Sequence, residues 1–412
     1  MTTVPNQQPI AGWRAAGLTL GVVMSAGAGG NGLGTLAGAI VFGTVIYALV
    51  RLRRRAPHGA TTGDLVASTL GRGAGETVTI LQLAAYTAFA ALSATAFGLA
   101  VLFAYVDDPL GIDTWLWPLY GLAALTVAAV VAYALPARAT AAIAAVLAGV
   151  GALGLFYVAL AVTAKALTDP DLLINPLPDA GPWTALAVIG ALAFAAKGVI
   201  GVELITTQSD RVASVGRPMA TGIIVAAVVA VTCWYAVRAA DPGVARIDGR
   251  WATAIAQDLF GDAARYAYAG IAVSLSLAGL LAMMLGIVRL TGTMEAHRVP
   301  EVQLVSAVVV AALLVVGMTR AWLHADEIVP WVAMWLLLLV YAVIIEANAR
   351  LDDGPAGWWL RVVMPAVFLA MILLPIGTAR SIVPFLPPLA VTLVIAVLAS
   401  GVGAAKARHA TG

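Results

Sequence analysis

Lys197-Gly198-Val199-Ile200-Gly201-Val202-Glu203 sets a lysine, two glycines and a glutamate inside an apolar stretch running 184–207. Ionisable groups at membrane depth are costly unless they line a cavity or meet a partner, so the run marks a candidate working site. The glycines allow the helix to break there. A broken helix at mid-membrane depth presents backbone dipoles that can hold a small polar solute. A second interruption, Ser25-Ala26-Gly27-Ala28-Gly29-Gly30-Asn31-Gly32, lies in the first apolar segment. For both runs the plainer reading is that small residues let neighbouring helices approach closely.

The elements that must position these residues follow from composition. Of 412 residues 62% are hydrophobic and 11% charged, against about 25% charged in an ordinary soluble domain. The chain reads as an all-α polytopic membrane protein. Apolar runs of spanning length fall at roughly 14–31, 34–52, 76–106, 114–135, 139–165, 184–207, 219–239, 263–290, 301–319, 326–347, 358–376 and 384–405, each near the ~20 residues a bilayer core requires. Twelve transmembrane helices are therefore expected, the first an uncleaved signal-anchor.

Basic residues orient them. With the N-terminus in the cytoplasm, fifteen lysines and arginines fall on the inner side and seven on the outer, with Lys197 left within a span. This predicts a multi-pass protein of the cell's inner (plasma) membrane with both termini cytoplasmic. The basic run Arg51 to Arg55 then reads as an anchor facing anionic lipid, and no nucleic-acid partner is implied.

Several chemistries find no support. The lone cysteine, Cys233, lies in an apolar segment, and His58, His297, His324 and His409 lie in loops or at the tail. That leaves no disulfide framework, metal site or intramembrane histidine relay. H-E-x-x-H, P-loop and G-x-S-x-G patterns are absent from the sequence, so neither an enzyme nor a cofactor is expected.

The two interruptions open corresponding sets of five helices, 14–165 and 184–347, followed by two extra helices in 358–405. Glycine-interrupted segments in matching positions of two halves point to a transporter site at the repeat interface. An odd number of helices per half makes the repeat inverted. The whole of 1–412 is read as one transporter domain.

At this point the residues resemble a family. The stretch ALAFAAKGVIGVELITTQSDRVASVGRPMATGI is similar to the sixth helix and following loop of amino acid–polyamine–organocation (APC) permeases, with Gly201-Val202-Glu203 as their G-x-E, Asp210 as the later acid and Arg217-Pro218-Met219-Ala220 as the loop end. Pro57-His58-Gly59-Ala60 with Leu70-Gly71, Arg289 with Met294 and Pro300, and Asp326 to Leu351 agree with further family features. In length the chain is most similar to the small bacterial amino-acid exporters of that superfamily.

The resemblance implies a LeuT-like fold, a 5+5 inverted repeat plus two C-terminal helices, with helices 1 and 6 unwound at the centre. It implies substrate binding by Ser25, Ala26, Gly27, Ala28 and Gly29 on helix 1, and by Ile200 and Gly201 at the helix 6 break. Glu203 is implied in proton sensing or gating, and equally in a structural hydrogen bond to a neighbouring helix. Ser274 and Ser276 on helix 8 form a candidate ion site, although serines in membrane helices commonly bond their own backbone.

Lys197 departs from the pattern, standing where arginine- and agmatine-type members carry a large aromatic. A cation there would repel amine substrates and welcome a carboxylate. A lysine able to release its proton at that depth would also serve as the coupling charge. It could equally pair with Glu203 as a structural ion pair, or extend toward the outer surface. The span from the helix 1 glycines to Pro57 is also shorter than the family's usual one.

The expected function is secondary transport of amino acids or related small carboxylate-bearing solutes, linked to H+ in preference to Na+. The alternative is a transporter-like solute sensor or membrane partner scaffold without transport.

Overall fold

The computed structural model describes residues 10–25, 32–56, 60–102, 117–168, 201–208, 212, 214–240, 260–293, 300–319, 325–351, 355–378 and 383–409. Every regular element among them is helical. In chain order these are α1 (Gly12–Ser25), α2 (Gly32–Arg53), the short α3 (Thr62–Leu70), α4 (Arg72–Val101), α5 (Trp117–Ala134), α6 (Ala137–Thr168), a 3₁₀ helix (Val202–Gln208), α7 (Gly216–Ala240), α8 (Asp262–Thr293), α9 (Pro300–Thr319) and α10 (Ala325–Ala349). The interrupted α11 comprises Pro355–Trp358, a π-helical turn Trp359–Val363 and Met364–Thr378, and α12 is Leu386–His409.

Among the described residues eight helices are long and apolar enough to cross a membrane. Helices suit that environment because each satisfies its own backbone hydrogen bonds where no water is present. Burial separates the interior from the periphery. In α8 and α10, 72% of the most apolar window is buried inside the protein, against 22% in α9 and 17% in α12. The outward faces of the peripheral helices carry Leu313, Val397 and Leu398, as a lipid-facing surface should.

Three local features refine the expectations from sequence. The third predicted span begins at Arg72, four residues before 76, because α4 continues through Arg72-Gly73-Ala74-Gly75 ahead of its apolar run. Glu76, which follows that extension, pairs with Lys406 of α12 at 2.8 Å. Before it lies α3, which was not anticipated: Thr61 caps it by accepting from the Asp64 amide while Asp64 accepts from the Thr61 amide, a reciprocal capping box. Gly71, at φ +91°, turns the chain from α3 into α4.

Glycines set the interhelical spacing. At Gly98 of α4 an added Cβ would stand 2.2 Å from the Trp117 carbonyl oxygen of α5, whereas at Gly43 of α2 it would meet nothing within 4 Å. Gly98→Ala should therefore lower stability by about 1–3 kcal/mol, and Gly43→Ala should be neutral or stabilising by up to about 1 kcal/mol. Thermal unfolding in detergent compares the two; equal midpoints would contradict the packing described here.

Candidate functional site

α1 is packed against three other helices near the predicted site. Gly17 lies against Ala145 of α6, Gly21 against Ala278 of α8, and Thr19 against Gly222 of α7. At its C-terminal end Ser25 donates to the Val22 carbonyl at 3.0 Å. The same side chain lies against Gly279 of α8, where a Cβ would come within 2.0 Å of Ser25 Oγ. Backbone-to-backbone approach this close needs small residues on both helices.

The 3₁₀ helix reaches α1 at the same level. Gly201 has φ +94°, and a Cβ there would overlap Val22 Cγ1 at 2.3 Å. Only glycine combines that backbone with that contact. The chain then continues as 3₁₀ over Val202–Gln208, longer than the three or four residues usual for such a helix and a mark of local strain or function.

Glu203, fully buried, is the centre of a polar network. Tyr86 of α4 donates to its Oε1 at 2.8 Å, and Tyr341 of α10 donates to its Oε2 in a short hydrogen bond. Each phenol oxygen in turn accepts: Tyr86 from Gln82 Nε2 at 3.3 Å, Tyr341 from the Gly201 amide at 2.9 Å. Gln82 Nε2 also donates to Thr62 Oγ1 at 3.3 Å. Thr62 is hydrogen-bonded to Thr206, and Thr206 donates to the Glu203 carbonyl at 2.5 Å.

The directions are mutually consistent. Every hydroxyl in the ring has both a donor to accept from and an acceptor to donate to, and both carboxyl oxygens of Glu203 act as acceptors. Among the described residues the carboxylate's partners are these two phenols and no basic group. The site thus ties the 3₁₀ helix to α4 on one side and α10 on the other, with α3 joined through Thr62.

Ring packing makes room for the network. Gly286 of α8 and Leu204 lie against each other beside Tyr86, with the Gly286 Cβ position 3.1 Å from the Tyr86 ring. Phe42 of α2 meets the Tyr341 ring edge-on at 5.3 Å between centroids. At the far end of the 3₁₀ helix, Arg289 Nε donates to the Thr207 carbonyl at 3.3 Å, and Arg53 donates to the Val212 carbonyl at 3.0 Å.

Of the predicted site residues, Ser25, Gly201 and Glu203 are brought to one region. Ala26, Gly27, Ala28, Gly29, Lys197 and Ile200 lie outside the described residues. The backbone of Gly201 is committed within the protein, its N–H to Tyr341 and its carbonyl to the Leu204 amide at 3.0 Å. Ser274 donates to its own helix at the Gly270 carbonyl, 2.9 Å away. Ser276 is buried one turn before Gly279. Ser274 in turn stands one turn before Ala278, the other α8 residue that meets α1, and about 200° around the helix from Ser276. The two serines do not converge on one point.

Ser93 is buried, and Thr95 is directed to Met318 of α9. Tyr341, Gln82, Thr62 and Thr206 were not anticipated. Cys233 is buried, with Sγ 4.0 Å from the Leu155 carbonyl, in keeping with packing. No protein-family model matches the chain, and no curated protein does either.

Proposed function

We propose that this chain is a secondary active transporter with a LeuT-like 5+5 inverted repeat followed by two further helices, twelve spans in all, with both termini cytoplasmic in the plasma membrane. Its substrates are amino acids or related small carboxylate-bearing solutes, and its coupling ion is H+. The family resemblance, to APC permeases and their small exporters, suggests the class of substrate.

The observation that carries the reading is the symmetry of helix neighbours. Exchange α1 with the 3₁₀ segment, α2 with α7, α4 with α8, α5 with α9 and α6 with α10. Four packed pairs, α1 with the 3₁₀ segment, α2–α7, α4–α8 and α5–α9, map onto themselves, and several others map onto packed pairs: α6–α8 becomes α10–α4, α5–α8 becomes α9–α4, and α1–α7 becomes the 3₁₀ segment with α2. A duplicated five-helix unit related by a two-fold axis in the membrane plane would have this pattern. The left-handed turn at Gly201 and the end of α1 beside it are where such a repeat would hold its solute.

Glu203 is the described membrane-depth group able to exchange a proton with the network around it; Lys197 is the other ionisable residue of its segment. Lys197 also favours substrates with a carboxylate over cationic amines. Purified protein in proteoliposomes should accumulate a labelled neutral or acidic amino acid when a pH gradient is imposed, and not without one. Binding without flux would favour a sensor or scaffold, and stabilisation of the wild type chiefly by basic amines would overturn the substrate class.

A further inference from the structure

A groove of about 310 Å³ lies at the seam between the N-terminal end of α1 and the N-terminal end of α7, away from the Glu203 network. Its floor is apolar: Ile10, Val212 and Pro218 are buried. Its inner end is closed where Gly222 of α7 meets Thr19 and the Ala16 carbonyl of α1. Its rim is different in kind, with Trp13, Ser214, Arg217 and Thr221 exposed.

The direction in which the groove opens can be read from α7. Arg217, Thr221, Ile224 and Val228 are all exposed, and their spacing places them along one face of the helix. The face runs from large apolar side chains that would contact lipid tails to a hydroxyl and an arginine at the helix end. Such a gradient is what a membrane protein presents where tails give way to headgroups. Trp13, 55% exposed at the same level, is the residue type that collects at this boundary.

One arginine stands on the rim of the groove, and a second lies beside the tryptophan of that rim. Arg217 is exposed on α7. On α1 the Arg14 guanidinium stands 5.2 Å from the Trp13 ring centroid, and its buried Nε has no hydrogen-bond partner among the described residues. An aqueous metabolite would find little in the apolar floor to recognise, and a zwitterionic lipid would gain less from the two arginines, because the cation of its headgroup offsets its phosphate.

From this we infer that the α1–α7 groove binds an anionic phospholipid, with its phosphate at Arg217 and Arg14 and the start of an acyl chain along Ile10, Val212 and Pro218. The occupant bridges α1 and α7, so it ties together two helices that flank the 3₁₀ segment. The inference concerns lipid recognition alone and stands whether or not the chain transports a solute.

Quenching of Trp13 tests it. The full-length protein is reconstituted in phosphatidylcholine vesicles containing a small fraction of brominated-chain phosphatidylglycerol or, separately, brominated-chain phosphatidylcholine. With eleven tryptophans in the chain, the Trp13 component is taken as the difference between wild type and Trp13→Phe. In wild type it should be quenched by the anionic lipid at about fivefold lower mole fraction than by the zwitterionic one, the preference one arginine confers near an anionic surface. Arg217→Gln should remove that preference and Arg217→Lys should keep it; neither exposed substitution touches the core.

Equal quenching by the two lipids in wild type overturns the inference, as does a preference that survives in Arg217→Gln. Loss of the preference on adding inorganic phosphate at fixed ionic strength would assign the arginines to a soluble anion, and would overturn it as well.

Discussion

In proteoliposomes, Glu203→Gln protein is expected to exchange labelled for unlabelled substrate across the membrane yet fail to accumulate it under a pH gradient. Glutamine keeps the shape of the side chain but cannot take up or release a proton. Exchange needs only alternating access, whereas accumulation needs the proton. The same substitution should cost about 1–3 kcal/mol of stability, the cost of a buried polar group left without a partner. The reason lies in the direction of the hydrogen bonds. Tyr86 and Tyr341 each already accept one N–H, from Gln82 and from Gly201, and each spends its O–H on the carboxylate. A carboxamide offers one acceptor oxygen and one donor group in place of two acceptor oxygens. One phenol O–H is then left facing a donor. Tyr341→Phe would instead leave the Gly201 amide unpaired, and in combination with Glu203→Gln the losses should not add, because both belong to one network. Full gradient-driven accumulation by Glu203→Gln protein would remove Glu203 as the coupling group and leave that role to Lys197.

Long apolar runs disclose membrane helices because length and hydrophobicity suffice to define them. The extent of α6, α7, α8, α9 and α10 follows the sequence reading to within a few residues on that ground. Rotation about a helix axis is harder, since a helix buried on most sides has no polar stripe to show which face turns inward. Ser274 and Ser276 illustrate the limit: their depth was legible, but not that they point to different sides of α8. The partners of Glu203 were out of reach for another reason. Tyr86 is 117 residues away along the chain and Tyr341 138, and nothing local to either tyrosine distinguishes it from an interfacial one. The helix α3 was different again. Its signal, Thr61-x-x-Asp64, is present in the sequence and is a recognised helix start, but it stands between two apolar runs that dominate any reading by hydropathy.

Gly201→Ala should be among the most damaging single substitutions, because two separate costs meet at one methyl group. The first is conformational: φ +94° lies in the left-handed half of the map, where a side chain costs about 1–2 kcal/mol. The second is steric: the new Cβ would fall 2.3 Å from Val22 Cγ1 and 3.4 Å from Met283 Cε, and overpacking of this kind costs about 1–3 kcal/mol. A total of about 2–5 kcal/mol follows if the sites act independently. The terms can be separated with Val22→Ala, which clears the methyl from α1 without altering the backbone of the 3₁₀ segment. Gly201→Ala with Val22→Ala should recover the steric part alone, so its unfolding midpoint should rise above that of Gly201→Ala protein yet stay below that of Val22→Ala protein. Full recovery would mean that contact with α1, and not the left-handed turn, is what demands glycine. No recovery would mean the reverse, and the Val22 contact would then have no bearing on the choice of residue. Because the same glycine donates its amide to Tyr341, a turn forced out of the left-handed region would also withdraw that donor. Loss of gradient-driven accumulation should therefore accompany the conformational part of the defect and persist when Val22 is trimmed.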